Sequence, residues 1–203
     1  MTLLELETLL GVTFPKKWHA IYATGAMEWM TLDADEFRAN RDAYIHHPNA
    51  FLMIEGDCEP LFFDEISEWL EELKEWISWK EEDEEVTLKS NIKLIPFAQT
   101  GAGDLYCFFY QEEKEEPEIV LYLHDDYDTP DIIADSFESF LYIVMLQAAF
   151  CGEDIHGAAW TAHMQLLEDQ YKNKIYGKSD KELAAEYEAL PVKKADIWQS
   201  VSQ

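Results

Sequence analysis

Between residues 92 and 141 three short apolar runs are separated by turn chemistry, and this stretch constrains the fold more than any other. Ile92–Phe97 leads into Gly101-Ala102-Gly103. Asp104–Tyr110 leads into the charged, Pro117-containing segment QEEKEEP, and Ile119–His124 into the acidic loop DDYDTPD. Runs this short, rich in Ile, Leu, Phe, Tyr and Val and punctuated by Gly and Pro, predict the strands of an antiparallel meander. After the last loop, Asp135 and Glu138 have capping-box spacing ahead of an apolar run, which predicts a helix from Ser136 to about Phe150. The expected unit is strand–strand–strand–helix, with an acidic loop feeding the helix.

That helix is apolar nearly all round, through Phe137, Phe140, Leu141, Ile143, Val144, Met145 and Leu146. A helix on a sheet needs only one apolar stripe, so something else has to cover its outer side. The C-terminal residues supply two candidate helices. Trp160, Met164, Leu167 and Tyr171 form one stripe. After Gly177, Ser179 and Glu182 have capping-box spacing, and Leu183, Tyr187 and Leu190 form a second stripe. The final VKKADIWQSVSQ is expected to be loosely held, with Trp198 its one strong anchor.

The N-terminal part reads as short helices. Leu3, Leu4 and Leu10 with Glu5 and Glu7 make an amphipathic helix stopped by Gly11, and Pro15 suits the start of a second that presents Trp18, Ile21 and Tyr22. Asp33 and Glu36 predict a third helix through about Tyr44, with His46 and His47 in its last turn. Two short strands are expected between Phe51 and Phe63, interrupted by EGDCEP. The sum is an α+β single domain: a central, mainly antiparallel sheet with flanking helices over residues 1–150, and a helical C-terminal extension over residues 151–203 packed on the same core.

At 203 residues and 48% hydrophobic content the chain can bury ~70% of its unfolded surface without a metal or disulfide staple. Its three cysteines, Cys58, Cys107 and Cys151, have no paired spacing, which fits thiols in a reducing compartment. No basic leader precedes an apolar core at the N-terminus, and no apolar run approaches the ~20 residues that span a bilayer. We read a soluble, cytoplasmic protein.

Charge points to the kind of partner. The formal net charge is −27, and residues 151–203 hold nine acids against six lysines, which leaves −24 on residues 1–150. Such a field repels nucleic acid and anionic membranes and accelerates encounter with a basic protein. The sharpest concentration follows Ile66. Trp69, Leu70, Leu73, Trp76 and Ile77 form a helical apolar stripe, and Glu68, Glu71, Glu72 and Glu75 occupy the other face. Trp79 lies off the apolar axis, and after Lys80 come Glu81, Glu82, Asp83, Glu84 and Glu85. Acids at a helix C-terminus oppose its dipole and should fray it. A tryptophan beside carboxylates has the composition of an interface hot spot. Trp79 with residues 81–85 is one candidate partner surface, and the loop carrying Asp125, Asp126, Asp128 and Asp131 is the other.

No motif for catalysis, cofactor or metal emerges. The glycines at 101 and 103 precede a strand rather than a phosphate-binding helix, so they read as turn formers. With Asp126 and Asp128 aligned to a calcium loop, Asp131 falls on its obligatory glycine and Phe137 on its bidentate glutamate, and the motif fails. His156 and His163 are seven apart, and two histidines do not close a zinc site. No serine or cysteine sits in a nucleophile elbow.

Several of these segments recur together in one family. A Pro-Phe-Ala strand end, a Gly-x-Gly-Asp turn opening an aromatic strand, a strand ending in His-Asp, and Ser-Phe-Glu-x-Phe-Leu opening a helix resemble the SUKH superfamily. The N-terminal LETLLGVTFPKKWHAIYATG is similar to the same family's leading helices, and together the two blocks cover roughly residues 3–145. That superfamily includes yeast-type cell-wall-assembly regulators and many bacterial immunity proteins. The resemblance implies a non-enzymatic immunity protein that binds and neutralises a cognate toxin, a basic nuclease-type toxin in view of the charge. The alternative it implies is an intracellular interaction module of the regulator type.

Overall fold

Period-two alternation in the central strands decides the architecture. In the computed structural model, which describes residues 1–32, 34–40, 57–125 and 129–200, β3 (Ile92–Gln99), β4 (Leu105–Gln111) and β5 (Glu118–Tyr122) form the expected meander. Ile92, Leu94, Leu105, Cys107, Phe109, Val120 and Tyr122 point to one face, and Ile95, Phe97, Tyr106, Phe108 and Ile119 to the other. Both faces are buried, which is why the strands read as continuous apolar runs rather than alternating ones. Pro96 lies mid-strand, where it removes a ladder donor. The register shifts beside it, between Pro96 and Ala98, as a bulge.

The sheet is larger than the meander. Its order is β1-β3-β4-β5-β6-β7, every neighbouring pair antiparallel. β1 (Glu59–Pro60) falls inside the segment expected to interrupt two strands. The first of those strands lies outside the described residues. β6 (Asp131–Ala134) was expected to be loop. Its Ile132 and Ala134 instead pair with Val120 and Ile119, so the unit is four strands and a helix.

On the face of Phe97 and Phe108 pack α1 (Leu3–Leu10), α2 (Lys16–Tyr22) and α5 (Phe137–Cys151), around an aromatic cluster. Trp18 is its hub, with ring centroids 5.1 Å from Phe137, 5.3 Å from Phe108 and 5.7 Å from Phe97. A 3₁₀ turn at Glu28–Thr31 and α3 (Ala34–Ala39) extend this core through Trp29 and Phe37, whose centroids are 5.0 Å apart. Asp33, His46 and His47 lie outside the described residues. Glu7, expected on the solvent face of α1, is buried. Its carboxylate accepts from the Phe14 backbone N–H at 2.6 Å and faces His19 Nε2 at 2.8 Å, fixing the α1–α2 corner.

The opposite face is covered by α4 (Ile66–Glu84) through Leu73, Trp76 and Ile77. Despite the acids in its last turn, α4 is helical through Glu84 and ends on Glu85 in the left-handed region, φ 50°. Tertiary contacts outweigh the unfavourable dipole here. Glu81 reaches forward and accepts from Thr87 Oγ1 and the Leu88 N–H, both at 2.8 Å, so the helix end is tied to β2 (Val86–Leu88).

The capping of α5 differs from expectation by one residue. Ser136 and Ser139 form the reciprocal box, which frees Glu138 to face the extension. There, α6 (Ala158–Leu166), α7 (Asp169–Ile175) and α8 (Asp180–Glu188) cover the outer side of α5, three helices where two stripes were read. Tyr142 of α5 stacks on Tyr171 at 5.2 Å and donates to Glu186, which also takes Lys178.

The last segment is not loosely held. After α8 the chain forms β7 (Lys193–Lys194) on the sheet edge beside β6, then β8 (Trp198–Ser200), antiparallel to β2. Between them Ala195 and Ile197 are buried in the second core, and Trp198 is only half-buried. Backbone groups satisfied on both sides explain the order: Ala195 N–H donates to Pro130 O at 2.9 Å, and Lys89 N–H to Ile197 O at 3.0 Å.

Candidate functional site

The helix that carries one acidic stretch packs on the strand that leads into the other, about forty residues later in sequence. Trp76, one helical turn before Trp79, packs against Tyr122 at 6.1 Å between centroids. Tyr122 ends β5, and the acidic loop begins three residues later at Asp125. The tail joins the two stretches from outside. Lys194 pairs with Asp131 across the β6–β7 ladder, and four residues on, Trp198 sits opposite Leu88 beyond the end of α4. Four residues of extended chain span at most ~14 Å.

Within this surface the predicted residues have different duties. Of the seven tryptophans Trp79 is the exposed one, at 46%; the others are buried or half-buried. Glu75 and Glu82, which lie one turn before and after it on α4, are exposed, as is Glu85 at the helix cap. Asp83 and Glu84 belong to the last turn of α4. Glu81 is occupied by β2 and serves the fold. Asp125 is exposed, Asp126 and Asp128 lie outside the described residues, and Asp131 is a strand residue whose carboxylate holds Lys194 at 3.0 Å.

The base of the acidic loop is a built contact. The turn after β3 closes with Gly103 at φ 97° and delivers Asp104, whose side chain accepts from Thr100 Oγ1 at 3.1 Å. The other oxygen of Asp104 takes the His124 backbone N–H at 3.1 Å and its Nδ1 at 2.9 Å, while His124 Nε2 lies 2.9 Å from Asp125. The Gly-x-Gly-Asp turn and the His-Asp strand end are therefore two halves of one clamp.

Among the described residues, the remaining thiols and imidazoles are engaged in the fold. Cys58 and Cys107 are fully buried, and burial pushes both thiols far above their usual range. The Cys151 thiol donates to Asp57 at 3.1 Å; partial burial and that carboxylate push its pKa up to about 11. His163 is buried with Nε2 3.2 Å from Leu141 O, and burial lowers its pKa to about 4. His156 lies outside the helix that carries His163 and pairs with Asp180 at 3.3 Å, so the two histidines do not meet. Among the described residues no three His, Cys, Asp or Glu side chains are arranged to hold a metal, and no helix is long and apolar enough to cross a membrane.

The order of these features along the chain agrees with a sequence family: the model of the SMI1 / KNR4 family (SUKH-1) matches residues 2–143. The chain belongs to this family. The match spans α1 to the middle of α5, and so includes the sheet from β1 to β6, the Asp104–His124 clamp and α4. It ends before the helices of the extension and the tail. Searches of curated proteins and of solved structures gave no match.

The sequence does not make the contribution of the tail to this side of the molecule legible. Its signal was present but short. Ala195 and Ile197 alternate with Lys194 and Asp196, and a single large apolar residue is little to set against a strongly polar composition.

Proposed function

We propose that this SUKH-family protein is a non-catalytic immunity protein that neutralises a cognate, basic toxin by covering it with the acidic side formed by α4 and the β5–β6 loop. The observation that carries the reading is Trp79. A fold that buries or half-buries its other six tryptophans leaves this one 46% exposed, between exposed Glu75 and Glu82. An exposed indole supplies the anchor that slows release, and the surrounding carboxylates supply steering and a match for a basic active site. Neutralisation by masking needs no catalytic group of its own. It needs a rigid acidic surface, and the clamp at His124 and the packing of Trp76 on Tyr122 support rigidity on both flanks.

The test is co-expression of the chain with the product of the neighbouring gene in a toxin-sensitive bacterium, followed by affinity capture over a salt series. The expected outcome is rescue, with a complex that weakens as salt rises. Charge reversal at Glu82, Glu84 and Glu85 should then slow association at least 10-fold at low salt, and Trp79→Ala should mainly speed dissociation. Unchanged binding in both variants removes this surface as the interface. Absence of rescue removes the immunity reading and leaves the regulatory alternative.

A further inference from the structure

The tail is an extended strand laid into a groove whose walls belong to the family domain, while the tail itself lies outside the family match. We propose that residues 193–200 are the resident occupant of a strand-addition groove, and that an extended, basic, amphipathic segment of a protein partner takes their place. The partner's basic character rests on the function proposed above; the exchange itself does not.

Three features support a docked strand rather than an integral one. Its sheet pairing is minimal, two residues to β6 and three to β2, so few ladder bonds hold it. Its specificity is of the kind strand addition uses, with backbone bonds on both sides and alternate side chains in pockets. Ala195 and Ile197 point into the core between α4 and the sheet, and Asp196 points out to Lys89 at 2.6 Å. Its charge complements the walls: Lys194 faces Asp131 at 3.0 Å and Lys193 faces Asp135 at 3.9 Å, directly beyond the loop that carries Asp125. An acidic wall, an apolar slot and an open strand edge together select a Lys-Lys-small-x-aliphatic segment. The tail is this chain's own version of it. With the tail in place, the edge of β6 is shielded from indiscriminate pairing.

The experiment uses the full-length chain and a fluorescein-labelled peptide of residues 191–203, followed by anisotropy. In the wild type the tethered tail competes at millimolar effective concentration, so the peptide binds weakly. Two variants loosen the tail, Ile197→Asp by spoiling its plug and Lys193→Glu/Lys194→Glu by reversing its charge without touching the core. Each should bind the wild-type peptide at least 10-fold more tightly than the wild-type protein does, and a peptide carrying the same Ile197→Asp change should bind none of them. The proposal is overturned if the lysine double variant, folded by near-ultraviolet circular dichroism, gains no peptide affinity, or if both variants lose cooperative unfolding, which would make the tail integral to the core. Failed toxin rescue alongside successful peptide exchange would remove the partner's identity and leave the groove standing.

Discussion

His163 gives the most direct test of how the extension is held on the domain. The imidazole is fully buried between α6 and α5, and burial holds its pKa at about 4, against about 6.5 for an unfolded histidine. A folded-state pKa below the unfolded one means that, between these values, the unfolded chain binds the extra proton. Stability is therefore full above the unfolded value and is lost as pH falls towards the folded one. Between pH 7 and pH 5 the loss from this group alone is about 2 kcal/mol, and it approaches about 3 kcal/mol by pH 4. In a chain of this size the first figure corresponds to roughly 4–8 °C in Tm. Forty-two carboxylates also respond to acid, so the measurement has to be differential. His163→Gln keeps a donor for Leu141 O and removes the titration. Urea unfolding of both proteins at pH 7 and pH 5 should show the wild type losing about 2 kcal/mol more than the variant. An equal loss in the two proteins would refute the assignment.

Two further outcomes follow from side chains with one clear duty. Glu81→Ala removes the acceptor for the Leu88 N–H and Thr87 hydroxyl and should cost about 1–3 kcal/mol in denaturant unfolding, while a Glu82 change leaves stability within about 0.5 kcal/mol. If Glu81→Ala proves neutral, the tie between α4 and β2 is not what holds that helix end. Cys151, although exposed, should react with iodoacetamide at neutral pH on the order of 100-fold more slowly than an unperturbed thiol, since its pKa is pushed up to about 11 by burial and by Asp57. Asp57→Asn should accelerate the alkylation, and an unchanged rate would mean the carboxylate does not act on the thiol.

What could be read in the sequence was whatever a local pattern encodes strongly. β3, β4 and β5 were legible because each is a short apolar run bounded by turn residues, and α8 because Ser179 and Glu182 announce its start. β6 was not, since Asp131-Ile132-Ile133-Ala134 is four residues long and follows Pro130 and an acidic loop. Its identity as a strand comes from β5 and β7 on either side, which is tertiary information. Glu7 shows a different limit: its spacing of four from Leu3 and three from Leu10 puts it on their face, and only the α1–α2 corner supplies its partners, the Phe14 N–H and His19. The candidate surface divides in the same way. Trp79 and its acids were visible as composition. Their proximity to the Asp125 loop depends on Trp76 meeting Tyr122, a contact no local pattern contains.

The placement of the extension follows from the two-faced sheet. An antiparallel sheet apolar on both faces, topped by a helix apolar nearly all round, leaves two surfaces that the family-matched residues 2–143 do not themselves close. The extension meets both needs with different structure. Its three helices close the outer side of α5, where a broad apolar face requires helical stripes. Its tail runs as an extended strand between α4 and the edge of β6. These two coverings differ in how they are held. The helical part contributes Trp160, Leu167, Ile175 and Leu183 to the larger core, while the tail contributes Ala195 and Ile197 to the smaller one and adds short strand pairing to β2 and β6 and ion pairs to Asp131 and Asp135. Solvent-exposed ion pairs add little stability and weaken with salt. If the tail is exchangeable as proposed, it is the covering that yields first, and its strand β8 pairs with β2, which follows α4 and its exposed tryptophan.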